Sequence, residues 1–266
     1  MLGHTYAEHA GGKGLNQAVA AARAGARTTF VGAIGDDDAG RQLAAVMDVD
    51  QVDGRGLNVR HGIPTGRALI GVSATAENSI IVVPGANSTM TPDDVTTIAA
   101  TARVLSVQLE IPLPAVAAAL TAARAAGAIT ILNPAPAAAE LQSDILSLCD
   151  VVIPNEHEVE LLGGVSRLLA LGASAVVVTM GAQGATLCTG DGPDVFVPAF
   201  RVQPVDTTGA GDAFCGAFAA AMARGDTMID ALRFASAGGA LATTRHGAVP
   251  SLPALAEIEA LLTNAT

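Results

Sequence analysis

The chain has 266 residues, half of them hydrophobic and only 15% charged, which suits one large α/β unit and excludes a disordered chain. Its formal net charge is −11 with no opposing cluster of Lys and Arg, which argues against a nucleic-acid partner. Cys149, Cys188 and Cys215 are scattered without a CxxC pair, no stretch is long and apolar enough to span a bilayer, and MLGHTYAEHAGGKG lacks the features of a secretion signal, so a cytoplasmic protein without membrane contact is expected.

In chain order, Gly14–Ala24 reads as a helix with Gly25 placed to cap it. Thr28–Ile34 is an apolar, β-branched run, so a buried strand, and Gly40–Met47 reads as helical. Ala68–Ser73 and Ser79–Val83 read as strands joined by a hairpin connection at Thr75–Asn78, standing apart from the later rhythm as a small sheet. From Thr91-Pro92-Asp93, an N-cap followed by proline at the first helical position, helices and strands alternate: strand Val104–Gln108, helix Leu113–Ala126, strand Thr130–Leu132, helix Leu141–Leu148, strand Val151–Pro154, helices Glu156–Leu162 and Val165–Leu171, and strand Ala175–Met180. Such alternation predicts βαβ crossovers and a parallel sheet covered on both faces. Ala185–Cys188 and Val195–Val197 read as a terminal antiparallel pair, and helices are expected at Asp212–Ala223, Thr227–Thr243 and Pro253–Leu262.

Three segments carry candidate chemistry. In Val205–Phe218 (VDTTGAGDAFCGAF) a Gly-Ala-Gly turn, Gly209–Gly211, leads into a helix at Asp212. Glycines let several amides converge, and the helix adds its positive end, so the turn suits an anion such as a transferring phosphoryl group. Asp212 beside it can take a proton from an acceptor hydroxyl. A turn before an Asp-capped helix would read the same in isolation, but the GxGxxG of a dehydrogenase does not, because its third glycine is missing. In Gly11–Gln17 (GGKGLNQ) paired glycines permit close approach, with Lys13 and Asn16 offering polar contacts; there is no Walker A spacing. In Pro154–Glu160 (PNEHEVE), Asn155 and Glu158 follow a parallel strand, where open α/β sheets bind ligands, and are placed to meet phosphate-bound Mg²⁺ or its waters.

Together these segments resemble the ribokinase family of sugar kinases, the PfkB carbohydrate kinases, from about His4 to Leu262. The likeness rests on GGKGLNQAVAAARAG, Gln108-Leu109-Glu110, NPAPA, PNEHEVELL, TMGAQG, VDTTGAGDAFCGAF and the TRHGAVPS segment ending at Ser251. The resemblance implies a single 1–266 unit: a three-layer α/β/α sandwich around a mostly parallel sheet, with a small β-sheet lid near 1–10, 57–61 and 66–84 that pairs in a homodimer. It implies ATP, Mg²⁺ and K⁺. Gly12, Lys13, Asn16, Glu110 and Asp212 would contact the sugar, with Asp212 as base and Gly209, Ala210 and Gly211 as anion hole. Asn155, Thr179, Gly181, Gly184, Gly211 and Ser236 would surround ATP. Asp206, Thr208, Ala242, Arg245, Gly247 and Ser251 would surround a monovalent cation, several through backbone carbonyls.

Within the family, GGKGxNQAVAAARxG and TRxGAxPS favour ribose, converted to ribose 5-phosphate. Two departures are expected to matter. Met1–Ala10 offers no counterpart of the family's opening strand and its GSxNxD-like segment, so the sheet should lack a strand and the pocket charge-assisted hydrogen bonds of roughly 1.5–3 kcal/mol each. The Leu162–Ala175 segment is short, trimming the edge beside the nucleotide. A true start upstream of Met1, a catalytically weak sugar- or nucleotide-binding relative, and a kinase for a nucleoside or another furanose are the alternatives these departures leave open.

Overall fold

The computed structural model describes residues 7–72, 78–137, 141 and 143–264. Helix α1 (Lys13–Arg23) ends in a Schellman turn: the Gly25 amide donates to the Ala22 carbonyl at 2.9 Å and the Ala26 amide to the Ala21 carbonyl at 3.0 Å. Strand β1 (Thr29–Gly35), helix α2 (Asp38–Val49) and strand β2 (Asp53–Arg60) follow, then strands β3 (Arg67–Val72) and β4 (Asn78–Val83). Helix α3 (Pro92–Ala99) begins on a capping box between Thr91 and Asp94, with Pro92 at its first position as the sequence predicts.

The alternating half comprises β5 (Val104–Val107), α4 (Leu113–Ala125), β6 (Ile129–Leu132), α5 (Ser143–Leu146), β7 (Val151–Val152), α6 (Glu156–Leu161), α7 (Val165–Ala170) and β8 (Ala175–Thr179). It closes with β9 (Gly184–Cys188), β10 (Val195–Pro198), α8 (Ala210–Arg224), α9 (Met228–Ala242) and α10 (Leu255–Asn264). The helix expected over Leu141–Leu148 shrinks to one turn at Ser143–Leu146, and the strand expected over Val151–Pro154 keeps only its first two residues. Pro154 has no amide hydrogen to donate, and Asn155 already belongs to the N-terminus of α6.

The large sheet runs β10–β9–β8–β7–β6–β5, parallel from β8 to β5 and antiparallel at β9 and β10. Side chains alternate across it, as a pleated strand requires. Ile131, Val151, Ala175 and Val177 pack with residues of α8, α9 and α10; Leu132, Val152 and Val176 pack with residues of α4, α5 and α7. These two cores make the three layers.

Strands β1 and β2 form a separate parallel pair. Among the described residues no strand hydrogen-bonds the remaining edge of β5 or of β1, so the sheet stands in two parts. Side chains bridge them: Val31 and Ala33 of β1 and Leu105 of β5 share a core with α3 and α4. The sequence reading had no strand at Asp53–Gly56, because DGRG is polar and glycine-rich. Gly56 becomes strand through packing, with room for no side chain between Val31 and Ile98.

The lid sheet, among the described residues, is the antiparallel pair β3–β4. Residues 57–60, expected in the lid, lie instead in β2, with Leu57 opposite Gly32 and Val59 opposite Ile34 of β1. Of the expected lid segment 1–10, residues 1–6 lie outside the described residues and 7–10 form no regular secondary structure; the connection at 73–77 also lies outside them. The root of the hairpin is fixed at Thr65. Its amide and hydroxyl donate to Asp37 at 2.9 and 2.5 Å, and its hydroxyl oxygen accepts from the Gly35 amide at 2.9 Å.

Candidate active site

The parallel strands deliver Gln108–Glu110, Asn133, Asn155 and Thr179 to one edge of the sheet, their carboxyl ends. The start of α8 reaches the same edge. Gly209 is its N-cap in the left-handed conformation (φ +78°), and a Cβ there would lie 3.1 Å from Ala248 Cα, so only glycine suits the position. The Ala210 amide donates to the Thr207 carbonyl at 3.2 Å. The amides of Gly211 and Asp212 have no partner among the described residues. They are orphan donors of a helix's first turn, and they offer an anion both hydrogen bonds and the positive end of the dipole.

Asp212 sits among these donors. Its Oδ2 accepts from Asn16 Nδ2 at 2.8 Å and its Oδ1 from Gln17 Nε2 at 3.0 Å. Burial raises its carboxyl above the usual aspartate range; the two amide bonds and the Lys13 charge oppose that shift without cancelling it. A carboxylate made more basic, yet held ionised by neighbours, suits a proton acceptor. Cys215, one turn on, is buried and its thiol is pushed far up, so it holds its proton.

Helix α1 presents the polar groups facing this carboxylate. Gly12 precedes it at φ +103°, and Lys13 is its first residue. A lysine in a first turn opposes the helix dipole, and this turn has no acidic residue to compensate. The Lys13 amide donates to Glu110 Oε2 at 3.0 Å, and burial raises the Glu110 carboxyl. Asn16 Oδ1 is buried without a hydrogen-bond partner among the described residues, the one such side-chain atom there. An acceptor in that state is costly unless a ligand donor reaches it.

The structure thus brings together Gly12, Lys13, Asn16, Glu110, Gly209, Gly211 and Asp212. It also draws in Gln17, Gln108 and Asn133, which were not singled out individually. Their signal was a second buried amide beside Asn16 on a helix face otherwise made of Leu15, Val19 and Ala20.

Other predicted residues take more local roles. Asn155 and Glu158 form a reciprocal cap on α6: the Glu158 amide donates to Asn155 Oδ1 at 2.8 Å and the Asn155 amide to Glu158 Oε2 at 2.9 Å. Burial raises the Glu158 carboxyl, with Lys13 opposing. Thr179 bonds back to the Pro154 carbonyl through its amide at 3.0 Å, and Gly181 follows in an exposed turn. Gly184 lies against the Val197 carbonyl of β10, and the Ser236 hydroxyl donates to the Leu232 carbonyl inside α9.

On the far side of the glycine turn, Asp206 ties two loops together. Its Oδ1 accepts from the Thr208 amide at 2.9 Å and its Oδ2 from the Gly247 amide at 2.8 Å, holding the carboxyl below the usual range. Arg245 turns its guanidinium onto Glu257, leaving its backbone carbonyl as the group it can offer here. Ser251 is fully buried and its hydroxyl donates to the Ala248 carbonyl, which leaves its oxygen free to accept; Ala242 is buried nearby in sequence at the end of α9.

The profile of the pfkB family carbohydrate kinases matches residues 1–255. A ribokinase of Staphylococcus aureus (strain COL) is 38% identical over 264 residues, covering 93% of this chain and 86% of its own. Arabidopsis thaliana ribokinase, solved with ribose and ATP, superposes with a TM-score of 0.88 at 32% identity, covering 95% of this chain and 87% of that one. A protein described as ribokinase II of E. coli, solved with ATP and Mg²⁺, gives a TM-score of 0.82 at 26% identity over 95% of this chain and 88% of that one. A parallel sheet with a phosphate-ready helix mouth, a basic carboxylate inside it and a family match over nearly the whole length lead to one conclusion: the chain belongs to the PfkB family of carbohydrate kinases.

Proposed function

We propose that this carbohydrate kinase transfers the γ-phosphoryl group of ATP to the primary hydroxyl of D-ribose, giving ADP and ribose 5-phosphate. The observation that carries the reading is the Asp212 carboxylate, held by Asn16 and Gln17 beside the unpaired amides of Gly211 and Asp212. Ribose as acceptor is supported by the ribokinases among its relatives. Asn16 Oδ1, Glu110 and Lys13 meet the sugar hydroxyls. As the O–P bond forms, the hydroxyl proton passes to Asp212 while the amides of the α8 mouth hold the charge on the transferring group. Positioning of the acceptor in line with the phosphate is the larger part of the catalysis.

Mg²⁺ would neutralise the ATP phosphates when bound. Glu158 fits an outer role toward it, since only one carboxylate oxygen accepts in the α6 cap, and Mg²⁺ keeps several waters. A monovalent cation, K⁺, fits the Asp206 loop: an ionised carboxylate, the Thr208 and Gly247 backbone beside it, and the Arg245 carbonyl with its guanidinium turned away. ATP would lie toward Asn155, Thr179 and Gly181. Three unpaired cysteines support a reducing cytoplasm, and among the described residues no helix is long and apolar enough to cross a membrane.

A coupled assay of ADP release tests the reading. Ribose is expected to outperform 2-deoxyribose, fructose and adenosine, with release abolished by chelating Mg²⁺ and stimulated by K⁺ over Na⁺. Adenosine as the better acceptor, or ribose binding without turnover, would remove the ribose kinase reading; indifference to K⁺ would remove the cation site alone.

The lid supports a homodimer. Leu69, Ile70, Ile81, Val82 and Val83 are each about half exposed or more, on both faces of a two-stranded sheet that is marginal alone. One face closes over the sugar and the other meets a second copy. Lysine at the register partners Leu69 and Ile81, or at Ile70 and Val82 on the opposite face, should in one case yield monomers and in the other raise the KM for sugar. A native chain that sediments as a monomer at assay concentrations would exclude the dimer.

A further inference from the structure

Gln17 makes every hydrogen bond its side chain can make, and all of them are inside the protein. It is 3% exposed. Its Nε2 donates to Asp212 Oδ1 at 3.0 Å and to Asn133 Oδ1 at 3.1 Å. Its Oε1 accepts from Gln108 Nε2 at 2.5 Å and from the Ser106 hydroxyl at 3.4 Å. Asn133 in turn donates through Nδ2 to the Ile153 carbonyl at 2.8 Å. The Ile153 carbonyl can only accept, which fixes the orientation of Asn133, and this fixes that of Gln17. A flipped Gln17 amide would point its oxygen at the oxygens of Asp212 and Asn133.

The chain of amides therefore runs from the carboxyl ends of β5, β6 and β7, through α1, to the first turn of α8. Gln17 and Asn133 are buried and Gln108 half-buried, each with a single satisfied arrangement, and such networks enforce geometry when complete. Asp212 needs that enforcement. It lies in a glycine-flanked helix start, and without outside bonds its carboxylate is free to rotate about χ1 and χ2.

We propose that Gln17 is a positioning residue for phosphoryl transfer: as the end of a buried amide relay anchored in the sheet, it fixes the rotamer of the Asp212 carboxylate and keeps one oxygen aimed at the acceptor hydroxyl. The proposal rests on the reading of Asp212 as the base. Gln17 does not touch the sugar or the phosphate; it acts through Asp212. It also donates a hydrogen bond to the ionised form, so it favours ionisation against the burial that disfavours it. Other charged or titratable groups bearing on this carboxylate are Lys13 from α1, Glu110 from the segment after β5 and Cys215 on α8 itself, while Glu158 of α6 bears on Lys13 and Cys215.

The test is the pH dependence of kcat in Gln17→Met and Gln17→Glu, measured with ribose and saturating MgATP. Methionine keeps the volume and removes both donors; glutamate keeps the shape and replaces the donor by an acid. Gln17→Met is expected to lower kcat about ten- to a hundredfold, to leave the KM for ATP within about twofold, and to move the acid limb of the kcat profile to higher pH. Gln17→Glu is expected to move that limb further, since two adjoining carboxylates cannot both ionise easily. A loss that appears only as a reduced folded fraction, with the acid limb unmoved, would overturn the proposal.

Should the Gln17 variants not fold, Gln108→Met at a half-buried position loosens the same relay one step back. A smaller shift of the same sign supports the proposal and an unmoved limb overturns it. Asp212→Asn, assayed in parallel, separates the two readings. An inactive Asp212→Asn with a native-like Gln17→Met removes only the role of Gln17; an active Asp212→Asn removes the base itself.

Discussion

Asp212→Asn is expected to lower kcat by about a hundred- to ten-thousand-fold, the range in which a positioned general base contributes. Asparagine fills the same space and cannot accept the hydroxyl proton. Misfolding should not confound the result. Burial disfavours the ionised carboxyl, so a neutral amide avoids that desolvation, while one of the donors Asn16 and Gln17 loses its acceptor. These effects oppose each other, and the melting temperature should stay close to the parent's.

The pH dependence follows from the same shift. Because the folded carboxyl is raised, the parent's kcat/KM falls as pH drops through that raised value, where Asp212 takes up a proton. Stability runs the other way: the contribution tied to a raised carboxyl is present at low pH and lost as pH rises through the folded value. Asp212→Asn lacks that dependence, so the stability difference between parent and variant should change across this window. Full activity in Asp212→Asn, with ADP formed per ribose consumed, would falsify the assignment of the base.

Gly216→Val is expected to be the most disruptive single change to the scaffold beneath the site. Gly216 lies in mid-helix on α8, where a larger residue would ordinarily help or be neutral. Here a Cβ would lie 2.5 Å from the Gln17 carbonyl oxygen, 2.5 Å from Ala20 Cβ and 2.8 Å from the Ala21 amide. All are backbone or near-backbone atoms of α1 and cannot rotate away. The two helices must part, at a cost of about 1–3 kcal/mol for overpacking and more for valine's second methyl. That corresponds to a loss of roughly 2–12 °C in Tm for a chain of this size. Activity should fall further than stability, because parting α1 from α8 draws Asn16 and Gln17 off Asp212. Gly216→Ala should show the same signs with smaller size. An alanine variant that gains stability with undiminished kcat would show that helix propensity, not the close contact, governs this position.

The parts of the fold legible in the sequence were those set by local chemistry. The Thr91-Pro92 helix start, the glycine stop after α1 and the strand–helix alternation from Val104 to Thr179 each follow from neighbours in the chain. The turn at Gly209–Asp212 was legible for the same reason, since a glycine-flanked helix mouth is a local object. Strand β2 was not fully legible, because Asp53–Gly56 is a strand only through packing against β1. Glu158 and Asn155 were legible as a polar pair at a strand end, but not as a mutual cap, which depends on side-chain reach. Gln17, Gln108 and Asn133 were out of reach for a further reason. They stand 116 residues apart from first to last, one on α1 and two at separate strand ends, and only the packing of α1 against the ordered sheet brings their amides within hydrogen-bonding distance.

The two-part sheet bears on how the hairpin is held relative to the pocket floor. The Thr65 root of the hairpin hangs from β1 and α2, whereas Glu110, Asn133 and Asn155 leave the six-stranded portion. Among the described residues no ladder of amides crosses from one portion to the other; apolar contacts carry the junction. Among the described residues, then, the hairpin is held over the pocket floor by side-chain packing between Val31, Ala33 and Leu105 rather than by strand pairing.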